Sequence, residues 1–122
     1  MWKQWLIVFL GGGLGSALRF AFQFISPKSN LTFPWATLGA NLLGCFLFGV
    51  LAGYLSQSGQ LKSNTALFLL VGFCGGLTTF SSLINDGQQL LQQNTFVNFV
   101  LYNGISFGLG LSLLYLGYSL WK

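Results

Sequence analysis

Chemistry in this chain, if there is any, has to come from a few polar side chains set in apolar surroundings. Thr37 and Asn41 are four residues apart, so on a helix they share a face and offer a hydroxyl and an amide to the same space. Tyr102 and Ser106 repeat that spacing, with Asn103 beside them and Gly110 one turn further on. The densest stretch is Gly72-Phe73-Cys74-Gly75-Gly76-Leu77-Thr78-Thr79-Phe80-Ser81-Ser82. Two adjacent glycines followed by two threonines within an apolar run favour a broken helix. Such a break exposes carbonyls that suit cations and N–H groups that suit anions. The alternative is a mild kink satisfied by the threonine hydroxyls. Two charges fall within apolar segments, Arg19 and Asp86. Arg19 either snorkels to a headgroup layer or draws an anion toward a vestibule, and Asp86 is expected near the membrane interface.

The same inventory excludes much. Histidine and glutamate are absent, Asp86 is the single acid, and the two cysteines, Cys45 and Cys74, have no metal-ligating company. A hydrolase or metalloenzyme needs a nucleophile with a base, an acid pair or a ligand cluster, and none can be assembled. No enzyme is expected. The cysteines read as small apolar fillers inside helices.

The elements that position these groups follow from composition. The 122 residues are 53% hydrophobic and 5% charged, with a mean hydropathy of +0.69. A soluble domain carries about 25% charged residues, so the solvent for most of this surface is lipid. A helix needs about 20 apolar residues to cross the hydrocarbon core. Four segments qualify, at approximately 5–25, 34–55, 65–90 and 96–120, forming one membrane domain over residues 1–122. They are separated by Ser26-Pro27-Lys28-Ser29-Asn30, Ser56-Gln57-Ser58-Gly59-Gln60 and Gln92-Gln93-Asn94-Thr95, all turn chemistry. The first segment does not read as a cleavable leader, because Arg19 interrupts it and no small-residue cleavage site follows. Four strands cannot close a barrel, so the spans are helices. The fold class is an all-α membrane protein whose third helix is broken near mid-membrane.

Four spans put Lys3, Lys62 and Lys122 on one side of the bilayer and Lys28 on the other, with Arg19 toward the latter side. That bias barely specifies a direction, so insertion in both orientations is compatible with it. Basic residues scattered singly give no footprint for nucleic acid. Small residues recur every fourth position, Gly11 and Gly15 in line with Arg19, then Cys45, Gly49 and Gly53 in line with Asn41. That spacing lets helix backbones approach closely. Polar groups inside so small a bundle need partners, and self-association supplies them.

Three motifs in order resemble the CrcB/Fluc family of fluoride channels: Gly11-Gly12-Gly13-Leu14-Gly15-Ser16-Ala17-Leu18-Arg19-Phe20, then Thr37-Leu38-Gly39-Ala40-Asn41, then Gly72 to Ser81. The resemblance covers the whole chain. It implies an antiparallel, dual-topology homodimer with two parallel fluoride pathways, multi-pass in a prokaryotic plasma membrane (the inner one where there are two). It further implies that Asn41 is a pore-lining donor and that Phe80 presents its ring edge, the positive end of the quadrupole, to the ion. Thr37 would belong to the same polar face as Asn41, and Thr79, Ser81 and Ser82 would supply hydroxyls along the path. Tyr102 and Ser106 would line it from the fourth helix, and Arg19 would stand near the vestibule. Carbonyls of Gly75 and Thr78 from both subunits would hold a central sodium ion, Na+, at the two-fold axis. The implied role is passive export of cytoplasmic fluoride, which enters as neutral hydrogen fluoride and leaves as the anion under the negative membrane potential, relieving toxicity.

The chain departs from the family pattern at three places. Leu83 stands where a second phenylalanine is usual, Asp86 replaces a glutamate, and Gly110 replaces a serine. Two other classes compete with this reading. A proton-coupled multidrug exporter of the small four-helix kind needs a membrane carboxylate, for which Asp86 is the sole candidate and the first helix has none. A non-transporting accessory subunit accounts for the glycine faces but not for Asn41, Thr37 and the broken helix together.

Overall fold

The computed structural model describes residues 1–25 and 33–121. The turn Ser26 to Asn30, with Lys28, and the terminal Lys122 lie outside the described residues, so the charge balance that rests on them does too. The described residues are helical throughout apart from short turns. In order they form α1 (Trp2–Ile25), α2 (Trp35–Gln57), α3 (Asn64–Ala66), a π-helical stretch (Leu67–Cys74), α4 (Gly75–Leu77), α5 (Ser81–Gln92) and α6 (Phe96–Ser119). The pieces from Asn64 to Gln92 are one bent membrane-length span, and with α1, α2 and α6 they make four helices long and apolar enough to cross a membrane. At 24 residues, α1 and α6 are each about 36 Å long, more than a hydrocarbon core needs.

Local chemistry sets the ends. After α2 the chain turns at Gly59, at φ 71°, a left-handed conformation that glycine adopts without a Cβ clash. Gln60 N–H then reaches back to the Leu55 carbonyl at 2.8 Å, closing the helix in the manner of a Schellman motif. Asn94, at φ 58°, serves the same purpose after α5, where both the amide and the hydroxyl of Thr95 donate to the Leu90 carbonyl at 3.0 and 2.7 Å. The third span opens on a serine cap, with the Ala66 amide donating to Ser63 Oγ at 3.2 Å, which occupies one of the orphan donors of the first turn.

The closest packing joins helices that are not neighbours in sequence. On α1, a Cβ added at Gly11 or Gly15 would run into the backbone of Phe68 or Phe73. Gly76 is pressed in the same way against the Gly12 carbonyl. Side-chain-free surfaces thus bring the first and third spans into backbone contact. On α2, Cys45 faces Gly110, Gly49 faces Leu114 and Gly53 faces Tyr118 of α6. The partner numbers rise together along both pairs, so the members of each pair run in the same direction, as alternating crossings of a membrane require.

Little of this is a closed core. Ala52, Leu55, Ala66 and Leu70 form one buried cluster, and Leu38, Leu90 and Tyr102 form another, against which Leu83 and Phe99 pack. Around them Trp2, Trp5, Phe9, Phe24, Phe96, Phe107 and Tyr115 are exposed. An apolar exterior of that extent belongs to a chain surrounded by lipid or by further protein.

Candidate functional site

The third span loses its helical path at Thr78, Thr79 and Phe80, where Thr78 takes up an extended ψ of 154°. What holds the interruption open is Asn41 on α2. Its side-chain amide donates from Nδ2 to the Thr79 carbonyl at 3.1 Å, and its Oδ1 accepts from the Thr79 amide at 2.7 Å. An asparagine side chain has the same donor and acceptor pair as a peptide group, so it substitutes for the missing helical partners on both sides of one residue. The hydroxyls do the rest. Thr78 Oγ1 donates to the Cys74 carbonyl at 2.9 Å. Thr79 Oγ1 accepts from the Ser82 amide at 3.3 Å, capping the start of α5, and lies 3.4 Å from Ser81 Oγ.

These substitutions release particular carbonyls. In an unbroken helix the Thr79 amide would bond to the Gly75 carbonyl and the Ser82 amide to the Thr78 carbonyl. Both amides are instead used by side chains, so the carbonyls of Gly75 and Thr78 lose their helical donors. The Gly76 carbonyl has a different fate: Arg19 Nε donates to it at 3.0 Å and Ser16 Oγ at 3.4 Å. Of the two roles open to Arg19 in sequence, neither includes this one. It ties α1 to the break, while the rest of its guanidinium, half-buried, keeps further donors.

Above the break the Phe80 ring stands 74% exposed and Ser81 is exposed beside it, whereas Ser82 is half-buried. Thr37, one turn before Asn41, lies beside Tyr102 rather than at the break. Tyr102 is fully buried, donates from its hydroxyl to Asp86 Oδ2 at 3.1 Å, and packs edge-on against Phe33. Asp86 is half-buried and accepts from this tyrosine. On the next turn of α6, Ser106 Oγ is buried without a hydrogen-bond partner among the described residues.

The site residues therefore fall into three groups. Asn41, Thr79, Ser81 and Ser82 meet at the break with Phe80 over them. Arg19 attaches to Gly76 just below it, next to Gly75 and Thr78. Tyr102 forms a separate polar pair with Asp86, with Thr37 beside it and Ser106 on the next turn of α6. Sequence reasoning missed Ser16 as the second donor to Gly76 and Asp86 as the acceptor for Tyr102. The spacing of Ser16 before Arg19, less than one helical turn, was the available signal for the first.

Chemically, the arrangement is a set of neutral donors, an aromatic edge and free carbonyls at a break in a membrane-length helix, with no nucleophile paired to a base among the described residues.

Residues 6–118 match the family model described as CrcB-like protein, Camphor Resistance (CrcB). The chain is 40% identical over 121 residues to a fluoride-specific ion channel FluC of Azobacteroides pseudotrichonymphae, covering 98% of this chain and 97% of the relative. It is 44% identical over 119 residues to a protein of that name from Thermus thermophilus, covering 97% and 93%. For the one from Xylella fastidiosa the identity is 37% over 117 residues, covering 95% and 82%. The match to the family model and these near full-length relatives agree with the three motifs: the chain belongs to the CrcB family.

Proposed function

We propose that this chain is a fluoride-selective channel through which cytoplasmic fluoride leaves the cell passively, and that it works as an antiparallel dual-topology homodimer with two parallel pathways in a prokaryotic plasma membrane, the inner one where there are two. The observation that carries it is the helix break held open by Asn41. A transporter with coupled chemistry needs a titrating or hydrolysing centre, and the family's curated members are ion channels rather than enzymes.

The residues at the break have the properties a pathway for a small, strongly hydrated anion requires. Asn41 uses one of its two amide protons on Thr79, leaving the other to replace a water of hydration. Thr79 Oγ1 accepts from Ser82 and so keeps its own proton to donate, to Ser81 or to an anion. The exposed Phe80 presents a weakly positive ring edge, attractive enough to admit the ion and too weak to trap it. Ser106 Oγ, buried without a protein partner among the described residues, is a donor that a passing anion or water would satisfy. Tyr102 beside it spends its proton on Asp86, so in this arrangement it forms wall and Ser106 supplies the donor. Arg19 keeps positive charge close to the break.

The family resemblance also implies a sodium ion at the two-fold axis. The donor set suits it: the carbonyls of Gly75 and Thr78 are those whose helical donors are used elsewhere, and neutral oxygens fit a hard monovalent cation. Two inverted copies would double the set. When bound, the ion would supply a fixed positive charge and would couple the two breaks.

Purified protein in liposomes tests the assignment. With a potential applied, fluoride should leave far faster than chloride; equal fluxes, or none above empty vesicles, would remove it.

A further inference from the structure

Cys45 and Cys74 are the reactive groups that the pathway does not use. Both are free thiols, Cys45 on α2 and Cys74 at the end of the π-helical stretch, and no other cysteine occurs in the chain. They line one cavity of about 250 Å³, together with Phe48, Leu70, Thr78 and Leu114. Local packing turns them toward the same space. Gly44, the residue before Cys45, lies against the side chain of Thr78. Cys74 is one turn before Thr78, whose hydroxyl bonds its carbonyl at 2.9 Å. Two helices thus hold two soft sulfur ligands around a space that is otherwise mostly apolar.

We propose that Cys45 and Cys74 form a binding site for a soft, two-coordinate divalent cation of the mercuric type. Binding forms two metal–sulfur bonds and breaks two S–H bonds. Both protons leave to water and no electrons are transferred. Two thiolates neutralise one divalent ion, so the product is uncharged, which is what a largely apolar cavity accepts. A monovalent soft ion would leave either one sulfur protonated or a net negative charge. Zinc is disfavoured because it takes four ligands of nitrogen, sulfur or carboxylate type, and the cavity offers only these two. Thiolate softness selects against hard cations.

The test uses the full chain in detergent, reduced and then freed of reductant. One equivalent of mercuric chloride is added, and the protein is washed with an excess of a competing monothiol. The expected result is one mercury retained per chain, with loss of both titratable thiols. Cys45→Ala and Cys74→Ala should each lose the metal in the same wash, since a single thiolate is outcompeted where a pair is not. Serine replaces alanine at any position where the alanine variant is not monodisperse. Zinc chloride treated identically should wash out. Failure of the parent to retain mercury, retention by either single variant, one mercury per two chains, or retained zinc would overturn the proposal. None of these readouts depends on fluoride conduction.

Discussion

Replacing Asn41 by alanine removes both hydrogen bonds that keep the third span interrupted, at 3.1 and 2.7 Å. A hydrogen bond of this kind contributes about 0.5–1.5 kcal/mol net, and a buried partner left unsatisfied costs about 1–3 kcal/mol. Asn41 and Thr79 are half-buried, so the lower part of that range applies to each, giving about 2–4 kcal/mol for the two together. The Thr79 amide has somewhere else to go, because the Gly75 carbonyl is its ordinary helical acceptor. The variant therefore moves toward a closed, continuous helix rather than toward unfolding. At about 1.4 kcal/mol per factor of ten, the equilibrium constant for the open over the closed break falls by roughly 30- to 700-fold. Fluoride efflux from liposomes, measured at matched protein density, should fall with it, while gel filtration in detergent shows the same assembly as the parent. Efflux within about threefold of the parent, less than 1 kcal/mol on the same scale, would refute the claim that Asn41 maintains the pathway.

Leu83 packs against the cluster of Leu38, Leu90 and Tyr102. Leu83→Phe should leave efflux unchanged or raise it, at a cost in thermal stability of about 1–3 kcal/mol from overpacking; complete loss of efflux would mean the pathway is built differently. Gly15→Ala should abolish recovery of folded protein, because its Cβ would meet the Phe73 carbonyl. Gly13→Ala, with nothing within 4 Å of the added carbon, should behave as the parent on gel filtration. Asp86→Ala strands the fully buried Tyr102 hydroxyl and should lower stability by about 1–3 kcal/mol. Combined with Tyr102→Phe the loss should be smaller than the sum, by about 0.5–3 kcal/mol of coupling in a double-mutant cycle.

The four membrane-length helices and the interruption of the third were legible because each rests on a local signal. Apolar length sets a span, and Gly75-Gly76 followed by Thr78-Thr79 weakens one. The glycine faces of α1 and α2 were legible as packing faces, but not as to partner. Spacing on one helix carries no information about which helix it meets, and here the meeting is between the first and third spans and between α2 and α6. The π-helical stretch left no trace, since Leu67 to Cys74 is an apolar run whose hydropathy is the same in either helical register. Asn41 was legible as an expensive polar group in a membrane span. Its reciprocal bonding to Thr79 was not, because the two are joined only through the tertiary fold. The bond that Tyr102 donates to Asp86 was not legible for the same reason, because the hydroxyl comes from another span.

Selectivity for fluoride over other anions is the property that defines a fluoride channel. Single channels in a planar bilayer, with fluoride on one side and chloride on the other, report it as a reversal potential. A potential that follows the fluoride gradient and ignores the chloride gradient is expected. A reversal potential that moves equally with chloride, or a current that needs a proton gradient, would contradict it.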